Sequence, residues 1–162
     1  MRQAIQENTP GDTRDRILDA AETLFVEHGF AATSMRAIAN AAAVNLAATN
    51  YHFGSKMGLF GAVFHRRIKP INQKRLLLLN ALIESKRPLT TRSILTAFYS
   101  PVIDAVTVGE APAVMGRLFG EPEAIAKPIL EREFSEVARA FQGALAEVLP
   151  HLSAQELQWR FH

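Results

Sequence analysis

The side chains best suited to chemistry sit in one short stretch. Asn45, Thr49, Asn50, Tyr51 and His52 fall within residues 45–53, with Arg36 before them and Lys56 after. No Asp or Glu occurs between Thr33 and Lys56. Amides, hydroxyls and cations without a carboxylate suit a polyanion, because an acidic group on that surface would repel phosphate. The makings of catalysis are missing. The histidines at 28, 52, 65, 151 and 162 form no HxxxH or HExxH pair, and Glu131, Glu133 and Glu136 read as a solvated helix face. The sequence has no cysteine and no Gly-rich phosphate loop. No enzyme, no cofactor and no metal is therefore expected.

The elements that position this set can be read locally. Thr33 or Ser34 caps a short helix whose apolar positions Met35, Ile38 and Ala39 recur at helical spacing. Ala43-Val44-Asn45 makes a turn, and Asn45 is a good N-cap for a second helix, Leu46 to Phe53. Gly54 ends that helix, and Ser55 caps the next with Lys56 in its first turn. Two short helices joined by a tight turn make a helix-turn-helix, whose second helix can enter the DNA major groove.

The rest of the chain frames the motif. A helix from Thr13 carries Ile17, Leu18, Ala21, Leu24 and Phe25 on one face and ends at His28-Gly29, with Phe30 placed to fold back as an apolar plug. A long helix follows Ser55, with Pro70 expected to kink or break it. Leu76 to Leu79 with Leu82 and Ile83 looks apolar around most of its circumference, and so belongs inside a bundle. A further helix from Thr90 or Thr91 to about Val108, interrupted at Pro101, turns Ile94, Leu95, Phe98, Tyr99, Val102 and Ile103 inward. A short helix over 113–119, a long one from about Pro122 to Leu149, and a last one capped by Ser153 with Glu156 at the capping-box position and running to His162 complete the pattern. No strand alternation occurs, so the fold class is all-α.

Three parts are expected: a flexible arm over 1–12, a helix-turn-helix domain over 13–56 and a helical domain over 57–162. The arm lacks the apolar run of a signal peptide. No run approaches the ~20 apolar residues of a spanning helix, so no membrane partner and a cytoplasmic location are expected. Residues 1–87 hold 12 Lys+Arg against 7 Asp+Glu, whereas 88–162 hold 6 against 9. The first half is thus the one suited to nucleic acid.

The segment from Arg16 to Phe64 resembles the DNA-binding domain of the TetR family of bacterial transcriptional regulators. The resemblance rests on Glu27-His28-Gly29-Phe30, Thr33-Ser34, Ile38-Ala39, Val44 and the run Tyr51-His52-Phe53-Gly54-Ser55-Lys56. Residues 44–56 further resemble the subgroup containing the fatty-acid-responsive regulator PsrA. The resemblance implies a homodimer on double-stranded DNA, each subunit placing one recognition helix on a palindromic operator. It also implies a cavity for a small-molecule effector among the later helices, and a repressor that releases its operator when that cavity fills. A fatty acid or acyl thioester is the effector the subgroup suggests. Carried over residue by residue, Arg36, Leu46, Ala47 and Asn50 stand where the family reads base edges. Thr33, Ser34, Tyr51, His52 and Lys56 stand where it holds phosphates.

Chemistry agrees with the base set: Arg36 can pair bidentately with guanine, Leu46 and Ala47 can meet thymine methyls, and Asn50 can pair with adenine. Asn50 and Thr49 replace the family's usual tyrosine and aliphatic residue, so readout at 50 and packing under 49 should differ. For the effector, Phe98, Tyr99, Met115, Phe119 and Phe134 are candidate lining residues. Arg117 could meet a carboxylate or acyl-phosphate, or else a nearby acidic residue of 121–136. The family has one more helix and the rest of the last one after the position where His162 stands, and these build its dimer bundle; the C-terminal domain therefore looks truncated. A helical dimeric adaptor that has lost sequence-specific DNA binding is the competing reading.

Overall fold

The computed structural model describes residues 10–107, 113–153 and 155–157. Among them the elements are helices: α1 (Pro10–Ala32), α2 (Met35–Ala41), α3 (Leu46–Phe53), α4 (Lys56–Glu84), α5 (Thr91–Thr107), α6 (Ala113–Gly120) and α7 (Glu123–Val148). The all-α class, with a helix-turn-helix first and a helical C-terminal part after it, is as the sequence implies. No described helix is long and apolar enough to cross a membrane. The Ser153 capping box forms: its hydroxyl and N–H both meet the Glu156 carboxylate at 2.9 Å. The run expected from there to His162 lies outside the described residues after 157, as does most of the N-terminal arm.

The chain folds as two compact units, one of Met1–His65 with Ala113–Ile125, the other of Arg66–Pro112 with Ala126–His162. The division between these units falls inside α4, after His65, and α6 packs with the first unit. That unit's core is built from Ile17, Leu18, Ala21 and Phe25 of α1, Ile38 and Ala39 of α2, Leu59, Phe60 and Val63 of α4, and Leu118 of α6. Gly29 takes φ 79° and ψ 173°, a backbone that interrupts regular α1 where a C′ glycine is expected. Phe30 then plugs the core, its ring 5.2 Å from Phe60 and 6.1 Å from Phe25.

In the second unit Leu79, Ile94, Ala97, Val137, Phe141, Ala144, Leu145 and Leu157 form the core. Three expectations need correction here. The leucine run is buried on one face only, with Leu79 inside and Leu77 69% exposed, because α4 packs along the 76–79–82 stripe. Tyr99 and Ile103 do not face inward; both are exposed on α5. Pro70 and Pro101 lie within unbroken α4 and α5, so neither ends its helix.

Candidate nucleic-acid interface

Short helices need their ends satisfied, and α2 and α3 do this with side chains. Ser34 caps α2, accepting from the Ala37 N–H at 3.1 Å, and Asn45 caps α3, accepting from Ala48 at 2.6 Å. Between the helices Ala43 takes φ 53°, which turns the chain in the left-handed region. Arg16 of α1 fixes this turn by donating to the carbonyls of Ala42 and Ala43, the latter at 2.9 Å. Sequence spacing gave no hint of that role. After α3, Gly54 (φ 71°) reverses the chain. A Cβ on Gly58 would stand 2.3 Å from the Phe53 carbonyl oxygen, so only glycine lets α4 start this close to the end of α3. A glycine in a helix's first turn, against propensity, was the available signal.

With its ends fixed, α3 turns Thr49 fully inward and exposes Ala47, Asn50 and Tyr51. These three recur at i, i+3 and i+4 and form one outward stripe. Tyr51 is 87% exposed, so its ring does not cover the core. His52, half-buried, lies between Tyr51 and Phe53, with ring centroids 5.4 and 6.1 Å away. Arg36 is exposed on α2 and makes no hydrogen bond or ion pair among the described residues. Leu46 is half-buried at the first turn of α3. A free guanidinium, an outward amide and an outward phenol on two capped helices can meet base edges and phosphates.

Two phosphate candidates have internal work instead. Thr33 is 3% exposed, its hydroxyl 2.8 Å from the Gly29 carbonyl and 3.1 Å from that of Leu24. Its single hydroxyl proton is directed to carbonyls near the end of α1, so it is no surface donor. The Lys56 ammonium donates to the carbonyls of Phe30 (2.8 Å), Thr33 (3.0 Å) and Ala31 (3.4 Å). It also lies 4.4 Å from the centre of the Phe30 ring. Lys56 therefore clamps the link between α1 and α2, its donors already occupied.

The effector candidates separate. Met115, Arg117 and Phe119 belong to the first unit, whereas Phe98, Tyr99 and Phe134 belong to the second. Phe119 is exposed. Arg117 makes no ion pair among the described residues: it donates to the carbonyls of Val26 (2.7 Å) and Glu27 (3.2 Å) at the end of α1. Glu121 complements it by accepting the Phe30 N–H at 2.9 Å. In the second unit, sequence reading missed Arg75, which stands among the other three candidates. Its guanidinium carbon lies 4.1 Å from the Phe98 ring centre and 5.7 Å from that of Phe134.

Capped helices, a tight turn and an outward polar stripe free of carboxylates define a helix-turn-helix DNA-binding protein of the all-α class. The comparisons place it further. Residues 17–63 match the model of the bacterial regulatory proteins of the tetR family, and residues 96–162 match that of the tetracyclin repressor-like C-terminal domain. Between them the two models take in more than half of the chain, and it belongs to the TetR family of transcriptional regulators.

An uncharacterized HTH-type transcriptional regulator of Mycobacterium tuberculosis, MT1294, is 27% identical over 148 residues, 90% of this chain and 69% of that protein. Among solved structures, a SmeT–triclosan complex superposes with a TM-score of 0.66 at 22% identity, covering 82% of this chain and 64% of SmeT. NalD, the secondary repressor of the MexAB-OprM multidrug efflux pump in Pseudomonas aeruginosa, gives 0.62 at 24% identity, over 87% of this chain and 68% of NalD. The chain thus spans about two thirds of the length of each.

Proposed function

We propose that this chain is a ligand-responsive repressor that binds a palindromic operator as a homodimer and leaves it when a small apolar effector binds the second unit. The observation that carries the DNA half is the outward stripe Ala47-Asn50-Tyr51 beside the unpaired Arg36, with no carboxylate from Thr33 to Lys56. Arg36, Asn50, Ala47 and Leu46 read base edges, and Ser34, Tyr51 and His52 hold phosphates. The ligand half is supported by relatives: SmeT has been solved with triclosan, and NalD is described as a repressor. A fatty acid or acyl thioester, the ligand of the subgroup that residues 44–56 resemble, is the finer reading of the effector. A cytoplasmic location goes with it.

Selection of sites from random duplex DNA at two salt concentrations tests this. An enriched palindrome with half-sites about one helical turn apart is the expected result. Weak binding that enriches nothing and vanishes at higher salt would instead favour a helical adaptor.

A further inference from the structure

Two arginines near the start of α1 meet the chain on either side of α3. The guanidinium carbon of Arg14 lies 5.4 Å from the ring centre of Phe53, the last residue of α3. Arg16 donates from one nitrogen to the carbonyls of Ala42 and Ala43, just ahead of the α3 N-cap Asn45. Positions two apart point about 200° from one another around a helix, so these side chains leave α1 in nearly opposite directions. Helix α3 has eight residues. It is therefore about 12 Å long, within the span of two such side chains. Neither arginine makes an ion pair among the described residues.

These contacts matter because little else orients α3. A helix this short does not hold itself. Thr49 is its one buried residue, and a threonine offers the core only a methyl and a hydroxyl. In the turn before α3, the N–H groups of Ala43 and Val44 bond back to Asn40 and Ala39, at 3.1 and 3.0 Å. The carbonyls of Ala42 and Ala43 are left for Arg16, which ties the same turn to α1. Ala43 at φ 53° lacks a glycine's freedom to settle there, so the turn leans on that tie. Helix α1 is a firm reference, since Ile17, Leu18, Ala21 and Phe25 anchor it in the core.

We propose that Arg14 and Arg16 are positioning residues for base reading: together they set the angle at which α3 presents Ala47, Asn50 and Tyr51 to DNA. The proposal rests on the reading of α3 as the helix that meets base edges. A two-bond pairing of an amide with adenine works over a narrow range of angles, whereas attraction to phosphate tolerates tilt. Loosening α3 therefore removes discrimination between sequences before it removes overall affinity.

The test uses the full chain, the palindrome that wild type selects and a scrambled duplex of the same length. In Arg16→Met the ratio of the two affinities is expected to fall about tenfold, equivalent to one lost bidentate base contact. Arg14→Met should lower it about threefold. Arg16→Lys, which keeps a donor near the carbonyls, should recover part of the loss. Binding to the scrambled duplex and its salt slope should stay at wild-type values. Because Arg16→Met can weaken folding, a further variant adds Ala43→Gly, which takes φ 53° freely and restores the melting temperature without the tie to α1. The ratio should stay low in it. A ratio that recovers with the melting temperature makes Arg16 a stabiliser of the turn and overturns the proposal. Equal losses on both duplexes, with a salt slope smaller by about one unit, make the arginines phosphate contacts and overturn it as well. An unchanged ratio overturns it while leaving α3 as the base reader, whereas a wild type that selects no palindrome overturns both.

Discussion

Replacing Thr49 by valine should make the protein more stable. Thr49 sits in the middle of α3 at 0% exposure, and its Oγ1 is buried with no hydrogen-bond partner among the described residues. An unpartnered hydroxyl inside a protein costs about 1–3 kcal/mol. Valine keeps the branched shape and a similar helix propensity, so little offsets the gain from removing that hydroxyl. A methyl in its place adds burial of its own, on the order of 1 kcal/mol. Allowing for imperfect fit, Thr49→Val should stabilise by about 1–2 kcal/mol, a rise in Tm of about 2–6 °C for a chain of this size. Urea unfolding followed by circular dichroism would read it, with an unchanged slope confirming that stability alone has moved. Thr49→Ser keeps the hydroxyl and loses the methyl, so it should fall below wild type. If valine is neutral or destabilising while serine is tolerated, the hydroxyl has a partner in solution and the reasoning is wrong.

Gly58→Ala should destabilise by about 1–3 kcal/mol, since its Cβ meets the Phe53 carbonyl oxygen at 2.3 Å and backbone cannot step aside cheaply; an unchanged urea midpoint would refute the close approach. Arg36→Ala and Asn50→Ala should each cost about 1–3 kcal/mol of operator binding and relax base preference at one position, measured by titrating single-base operator variants. Equal losses on every sequence would remove both from base readout. Lys56→Met should lower the melting temperature, because three backbone carbonyls lose a charged donor. Unchanged melting with a salt slope smaller by about one unit would return Lys56 to the phosphates.

What was legible in the sequence was what local rules decide. Ser34 and Asn45 cap, Gly29 and Gly54 turn, and Phe30 plugs, because each job is set by neighbours a few residues away. The outward stripe of α3 follows equally from helical spacing once Thr49 is known to be inside. What stayed hidden depends on partners far along the chain. Thr33 and Lys56 have the right chemistry for phosphate, and only the fold reveals that carbonyls from the end of α1 claim them first. Arg117 is bonded about ninety residues away in sequence, to Val26 and Glu27.

Arg75 is the instructive case. A cation at 75 interrupts the apolar series Ile68, Ile71 and Leu79 on the buried side of α4, a face where an unpaired charge is expensive. The interruption was visible in the sequence, but its resolution was not, because the Phe98 carbonyl and the Phe98 and Phe134 rings that meet the guanidinium come from α5 and α7. Two ring faces, a carbonyl and the Asn72 side chain meet this cation, and only Asn72 is near it in sequence.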